Sequence, residues 1–416
     1  MLTKYKLGEI VDVTRGMSLP GENYSESGDL IRLTLGNFNY NGGGFKENTS
    51  KSDIYYIGEV KPEYILNKGD IITPLTEQTF GLLGSTAMIP ESGKYIQSQD
   101  VALVTPDESK LDHLFCYYLV SSDVVRKQLS AAAQQTKIRH TSPDKIKDCT
   151  VWIPELKLQE KIGKALYDID QKISLNTSMN VELEAMAKQL YDYWFVQFDF
   201  PNENGKPYKS SGGKMVWNEK LRREIPDGWE VVELRSILDN MVQGTLPGNH
   251  LRDLPYCPID EIPIRRMSFA GGKSWEEAQS SLQLYEKKNI LIGAMRVYFH
   301  RCCISSCPGI TRTTTIVLTP RKEEYLSYCY QVCNEERTFE FAIKESNGTQ
   351  QPYVTWNSLS KFILPYPKDD RIIKQYCEQT SMIVDLVLSN EIQCDRLTLL
   401  RDSLLPMLMN GQVTIE

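Results

Sequence analysis

Two long stretches of the chain carry apolar residues at three- and four-residue spacing. From Leu158 to Phe195 the apolar positions are Ile162, Leu166, Ile169, Ile173, Met179, Leu183, Met186 and Leu190. From Asp369 to Met409 they are Ile372, Ile373, Tyr376, Ile383, Leu386, Leu397, Leu400, Leu404 and Leu408. This spacing predicts two helices with one apolar stripe each. We expect each helix to be roughly 55–60 Å long and the two to bury their stripes against each other as an antiparallel coiled coil.

The remaining sequence alternates short apolar runs with turn residues. The runs "DLIRLTLGNF", "GDIITPL", "VALVTP", "NILIGAM" and "TTTIVLTP" predict strands. The segments "KLDHLFCYYLVSSDVVRKQL" and "YLSYCYQVCNEERTFEFAI" predict amphipathic helices. This mixture of elements predicts α+β domains.

The order of these elements repeats along the chain. "LGEIVDVTRGMSLPG", which begins at Leu7, matches "LRSILDNMVQGTLPG", which begins at Leu234. Residues 66–80 then match 285–299, and Asn176 in the first long helix matches Asn390 in the second. Because the matches keep one order, they predict two copies of a mixed domain followed by a long helix.

The repeat sets the predicted domain organisation. The segments are a first domain at 1–152, a central long helix at 153–200, a connection at 201–229, a second domain at 230–366, and a distal long helix with a C-terminal tail at 367–416. The connection is rich in Gly, Pro, Ser and Lys, but Trp217 and Trp229 favour an ordered structure there.

Composition narrows the class of protein. The chain has 416 residues and a net charge of −7, no apolar run long enough for a membrane span, and no signal-peptide core at its start. We therefore predict a cytoplasmic protein whose ten cysteines are free thiols. The charge is not uniform, because 264–312 holds eight basic and three acidic residues. A local basic and aromatic segment of this kind favours contact with phosphate groups.

Motifs for catalysis are weak. "AGGKS" at 270–274 resembles the end of a phosphate-binding loop, but Met267 stands where that loop needs glycine. "QQPYV" at 350–354 only partly matches an amino-methyltransferase motif, and no glycine-rich cofactor loop accompanies it. The cysteines of 302–307 and 329–333 lack metal-ligand spacing. We predict a non-catalytic chain without a metal or cofactor of its own.

The central segment carries a family resemblance. "LYDYWFVQFDFPNENGKPYKSSGGKMVWNEKLRREIPDGWEVVEL" at 190–234 resembles the central region of type I restriction–modification specificity subunits. "IPELKLQEKI" and "LPYPKDDRII", which open the two long helices, extend the resemblance over most of the chain. The second copy departs from the family pattern in having Asp369 and Asp370 in place of glutamate and glutamine.

The resemblance implies a function. Each repeated domain would be a target recognition domain that reads one half of a bipartite sequence in double-stranded DNA. The helices would space the domains and bind two methyltransferase subunits, which hold S-adenosylmethionine and methylate adenine. Restriction subunits, which are motor-nucleases that use ATP and Mg²⁺, would complete an antiviral defence complex.

The sequence also offers residues for this role. Side chains that can read base edges or contact phosphates occur in corresponding polar loops of the two domains. The predicted DNA-binding residues are Thr76, Gln78, Gln135, Lys137, Arg139, His140, Arg265, Arg266, Lys273, Arg296, Tyr298, Arg301, Thr349, Gln350 and Tyr353. Among them, Arg265, Arg266, Lys273 and Arg301 suit phosphate better than bases.

The cluster of rings in "LYDYWFVQFDF" at 190–200 is the predicted subunit interface. Tyr193, Trp194, Phe195 and Phe198 stand where the central helix must end. We expect them to close that end against the connection and a neighbouring domain, and to lend surface to a methyltransferase subunit. Two alternatives remain. One is a scaffold that bridges proteins without binding DNA, which the negative net charge slightly favours; the other is a self-contained methyltransferase, which the missing cofactor and catalytic motifs oppose.

Overall fold

The computed structural model describes residues 2–39, 43–77, 82–132, 139–348, 350–409 and 411–413. Its contacts divide the chain into two compact units. Unit 1 comprises Met1–Gln171 and Leu397–Glu416, and unit 2 comprises Lys172–Arg396. Within the described ranges, none of the helices combines the length and apolarity that crossing a membrane requires.

Unit 1 mixes short strands with helices. Its strands are β1 (Thr3–Lys6), β2 (Val11–Arg15), β3 (Tyr24–Ser25), β4 (Ile31–Arg32), β5 (Tyr55–Tyr56), β6 (Ile71–Pro74), β7 (Thr76–Glu77), β8 (Ala87–Met88), β9 (Tyr95–Ile96), β10 (Val101–Pro106), β11 (Arg139–His140) and β12 (Thr150–Ile153). Its helices are α1 (His113–Val120), α2 (Asp123–Ala132) and α3 (Pro143–Lys147), with the first part of α4 (Leu156–Tyr191). The main sheet has the antiparallel order β2-β10-β6-β8.

Unit 2 has the same kind of architecture. Its strands are β13 (Met215–Asn218), β14 (Arg223–Pro226), β15 (Trp229–Glu233), β16 (Leu238–Asn240), β17 (Gly244–Thr245), β18 (Tyr256–Cys257), β19 (Ser268–Phe269), β20 (Leu282–Tyr285), β21 (Ile290–Gly293), β22 (Cys302–Ser305), β23 (Gly309–Arg312), β24 (Thr315–Pro320) and β25 (Ile363–Pro367). Its helices are α5 (Leu326–Asn334), α6 (Glu336–Lys344) and α7 (Trp356–Leu359), with most of α8 (Arg371–Met409). The main sheet has the order β16-β24-β21-β22-β19.

The internal repeat is visible in the backbone hydrogen bonds. The main sheet of unit 1 is β2-β10-β6-β8, and the corresponding strands of unit 2 follow the same order, β16-β24-β21-β22, with β19 added at the edge. The N–H of Thr141 donates to the carbonyl of Leu75 at 2.8 Å, and the N–H of Val354 donates to the carbonyl of Ala294 at 3.0 Å. These two bonds tie the same loop to the same strand end. The predicted α+β repeat is therefore confirmed.

The two long helices pack antiparallel as predicted, but the predicted stripes are only partly buried. Asn176 and Asn180 are buried, whereas four stripe residues are exposed: Met179, Met186, Leu386 and Leu400. In unit 2 the amide of Asn176 donates to Gln393 at 2.7 Å, and the amide of Asn390 donates to Asn180 at 2.9 Å. Farther along, the hydroxyl of Tyr376 donates to the carbonyl of Ala187 at 3.0 Å. In unit 1 the ends of the same helices meet through an ion pair between Asp170 and Arg401, at 2.8 Å.

Two shorter helices differ from their predicted extent. The pattern predicts one helix over 110–129, but the chain breaks at Ser121 and Ser122 between α1 and α2. The pattern over 325–343 also predicts one helix, but Glu335 is extended between α5 and α6, at φ −62° and ψ 143°. Each break lets the second helix turn a separate apolar face to the core, and the periodicity on either side does not reveal the turn.

Candidate nucleic-acid interface

The loop after β21 in unit 2 forms a tight turn. Val297–Phe299 make one 3₁₀ turn, flanked by Arg296 and His300, which both adopt the left-handed backbone conformation. Non-glycine residues seldom adopt this conformation, and it costs of order 1–3 kcal/mol when the surrounding fold enforces it. The strain marks the turn as a feature of the fold that other contacts hold in place.

A second candidate segment lies against this turn. The N–H of Arg296 donates to the carbonyl of Pro352 at 2.8 Å, and Met295 forms a bridge with Tyr353. The predicted residue Gln350 is exposed and Tyr353 is half-buried, while Thr349 lies outside the described residues. The structure thus brings together the two loops that carry the predicted residues Arg296, Tyr298, Gln350 and Tyr353 of unit 2.

Unit 1 brings together the equivalent loops. β7 pairs with β11, so that Thr76 lies opposite His140 and Glu77 lies opposite Arg139. The side chain of His140 is exposed, whereas that of Thr76 is buried and is not positioned to read DNA. The predicted residues Gln78, Gln135 and Lys137 lie outside the described residues.

Arg139 has a structural role that the sequence pattern does not predict. Its guanidinium lies 3.1 Å from the buried carboxylate of Glu77 and donates to the carbonyl of Ser130 at 2.5 Å. The same carboxylate accepts the N–H groups of Leu82 and Leu83 at 2.9 and 3.0 Å. Because a buried carboxylate needs a charged partner, Arg139 stabilises this loop instead of offering a free side chain to bases.

Three basic candidates of unit 2 are engaged with carboxylates. Arg265 makes a two-point ion pair with Glu336, and both side chains are exposed. Arg266 lies 3.3 Å from Glu184 on the central helix. Burial raises the pKa of Glu184, and the nearby Arg266 opposes that shift. Lys273 lies 3.6 Å from Asp260 and 3.4 Å from Glu261.

Arg301 and Arg296 complete the set. Arg301 donates to the backbone carbonyls of Asp260, at 2.9 Å, and Ile262, so its guanidinium helps to hold a loop. The exposed side chain of Arg296 makes no hydrogen bond or ion pair with any residue that the structure describes. Of the arginines predicted for unit 2, Arg296 is therefore the one whose guanidinium is not already engaged within the described chain.

The rings of the predicted subunit interface lie mostly inside unit 2. Trp194, Phe195 and Phe198 are buried, and Phe195 lies 4.8 Å from Tyr328 and 5.3 Å from Tyr376 between ring centroids. Phe198 and Phe200 pack on Trp229 of the connection, each at 5.4 Å. The helix ends here in a π-helical turn, Asp192–Val196, followed by Phe198 at φ 67°. The side chain of Tyr193 is exposed, so its direct contact with a partner subunit stays a prediction. The other three rings are buried and cannot contact a partner directly.

Among the residues that the structure describes, no three His, Cys, Asp or Glu side chains are grouped closely enough to hold a metal ion. The arrangement instead presents polar and aromatic side chains on paired loops at the ends of two small sheets. Paired loops on a rigid sheet are a common way to hold a recognition surface.

The fold places the chain in a defined structural class. A crystal structure of the type I restriction–modification system S subunit from M. genitalium has the same fold, with a TM-score of 0.61 at 17% identity over 98% of this chain and 96% of that one. Residues 2–185 match the family model of the type I restriction modification DNA specificity domain.

Curated relatives point to the same family. The chain is 22% identical over 320 residues to the type I restriction enzyme MjaIX specificity subunit of Methanocaldococcus jannaschii, covering 73% of this chain and 69% of that protein. It is 21% identical over 384 residues to the type I restriction enzyme HindI specificity subunit of Haemophilus influenzae, covering 77% and 81%. These matches confirm the resemblance to type I restriction–modification specificity subunits that residues 190–234 predict.

Proposed function

We propose that the chain is the DNA-recognition subunit of a type I restriction–modification complex and reads a bipartite target with one unit per half-site. The observation that supports this most directly is the pair of tied loops. The same hydrogen bond fixes the loop at Leu75 and Thr141 in unit 1 and at Ala294 and Val354 in unit 2. The side chains that these loops carry differ, as reading two different half-sites requires.

Partner subunits supply the chemistry in this proposal. Two adenine methyltransferase subunits bring S-adenosylmethionine, and restriction subunits bring ATP and Mg²⁺. An exposed apolar stripe on α4 suits the first kind of partner, because Leu175, Met179 and Met186 are 56%, 41% and 58% exposed. At 100° per residue these three positions share one helix face, and an apolar stripe left in water is typical of a binding surface.

The test compares two basic residues of unit 2 in the assembled complex. Arg296→Ala removes a guanidinium that has no partner among the described residues and lies beside the tied loops, whereas Lys273→Ala removes a lysine that faces Asp260 and Glu261. Arg296→Ala should relax specificity at one position of one half-site, by about 1–3 kcal/mol. Lys273→Ala should weaken binding to all DNA sequences alike and make binding less dependent on salt concentration.

Two results would count against the proposal. If both variants weaken DNA binding equally and for all sequences, Arg296 does not read a base. If the wild-type complex shows no DNA binding whose affinity falls steeply with salt concentration, the alternative, a scaffold that bridges proteins, would be favoured.

A further inference from the structure

Three apolar side chains form an exposed patch, here called the aromatic tip, at the 296–300 turn of unit 2. They are Ile264, Tyr298 and Phe299, which are 48%, 54% and 40% exposed. The rings of Tyr298 and Phe299 lie 4.8 Å apart at an interplanar angle of 50°. The backbone of Ile264 lies beside the turn, because it forms a bridge with Arg301, two residues beyond Phe299.

The aromatic tip is mounted rigidly. Val297 is buried in the core, and the ring of His300 stacks on Phe339 at 3.7 Å and 16°. A ring nitrogen of His300 also lies 2.9 Å from the side-chain oxygen of Asn334. With the residues on both sides of the rings fixed, the rings cannot collapse into the core, and the strained backbone keeps them in solvent.

Positive charge borders the rings. The guanidinium of Arg301 lies 5.7 Å from the centroid of Phe299 and is itself bonded to two backbone carbonyls, which positions it beneath the ring. Arg296 precedes the rings and has no side-chain partner among the described residues. Arg265 is paired with Glu336, and because this pair is exposed it contributes little and can exchange for a phosphate.

We infer that Tyr298 and Phe299 form a wedge that inserts at a base step of the half-site read by unit 2. This inference rests on the proposed function and gives the two rings a task other than hydrogen bonding to base edges. Apolar side chains that enter the stack unstack a base step and kink the duplex. Ring faces suit this role because they stack on any base, while flanking arginines contact the phosphates.

The wedge has a consequence for the reaction of the complex. A methyltransferase must extrude its target base from the stack, and it has to overcome the cost of unstacking. If the recognition subunit inserts a wedge when it binds DNA, its contacts with the DNA would offset part of the free energy of unstacking before the methyltransferase acts. The aromatic tip would then be a positioning element and not a catalytic one.

The experiment uses the complex assembled with its methyltransferase subunits and duplexes that carry 2-aminopurine at successive positions of each half-site. Fluorescence should rise at one step of one half-site when the wild-type complex binds, because 2-aminopurine brightens when it is unstacked. Phe299→Ala should abolish that rise and weaken binding about 5- to 160-fold, as stacking on one aromatic side chain supports. Trp217→Ala is the matched control, because Trp217 is another exposed ring of unit 2 and lies on the β13–β14 hairpin.

A mismatch at the bright step adds a second readout. A mismatched step is already partly unstacked, so it should restore the binding of Phe299→Ala towards the wild-type value and change the wild type little. No fluorescence rise at any position of the wild-type complex, or equal behaviour of Phe299→Ala and Trp217→Ala on paired DNA, would overturn the wedge. The proposed function would still hold after either result if the complex binds its target specifically. If the wild-type complex binds no DNA sequence specifically, both the wedge and the proposed function are refuted.

Discussion

Replacing Trp194 should destabilise unit 2 strongly. The ring is 3% exposed and lies 6.0 Å from Tyr376 and 6.4 Å from Phe195. An enclosed aromatic side chain buries about 150–250 Å², which corresponds to about 4–6 kcal/mol at about 25 cal/mol per Å². Truncation of a buried Trp to Ala typically costs about 3–5 kcal/mol, so we expect a loss of that size.

Thermal melting followed by circular dichroism measures this loss. For a domain of the size of unit 2, each kcal/mol shifts the Tm by about 2–4 °C, so Trp194→Ala should lower the Tm by about 6–20 °C. Tyr193→Ala is the matched control, because its neighbouring ring is 36% exposed and surface changes usually stay within about 0.5 kcal/mol. Equal shifts for the two variants would refute the conclusion that the buried rings hold the end of the central helix in place.

Two further predictions concern a buried histidine and a partner surface. Burial lowers the pKa of His300 below its usual 6.5, so the unfolded chain binds that proton more readily. Unit 2 should therefore lose stability as the pH falls below about 6.5, until the folded-state pKa is passed. His300→Gln should reduce the difference in Tm between about pH 7.5 and about pH 5.5, and an unchanged difference would contradict this. Met179→Asp should weaken pull-down of the methyltransferase subunit at unchanged Tm, whereas Val181→Asp, on another exposed face of α4, should not; equal pull-down of both would remove the stripe from the interface.

The long helices are predictable because their signal is repeated many times. The apolar spacing predicts a helix from Leu158 to Phe195, and the structure has α4 over Leu156–Tyr191 with a π-helical turn to Val196. The spacing likewise anticipates α8, Arg371–Met409. The breaks inside the two shorter helical segments depend on how each helix meets the core, which periodicity does not record.

The candidate site is less predictable because charge along the sequence does not show which charges meet in space. The segment 264–312 is basic when counted alone, yet the carboxylates that pair with Arg265 and Arg266 lie outside it, at Glu336 and Glu184. Arg139 similarly meets Glu77 through a strand pairing that joins distant parts of unit 1. The exposure of a side chain is equally hard to predict, because no sequence pattern distinguishes Phe299, whose ring is exposed, from Phe195, whose ring is buried.

The composition of unit 1 has a consequence for its synthesis. Its core includes Leu408 and Met409, which pack with residues such as Leu7 and Phe115 from the start of the chain. Gln171 is the last residue of the first segment of unit 1, and Met409 is synthesised 238 residues later (409 − 171 = 238). At about 5–20 residues per second, the nascent first unit waits roughly 12–48 s for its final helix. During that interval the apolar face that will receive Leu408 is open to solvent, so a chaperone that covers it would protect the growing chain until translation ends.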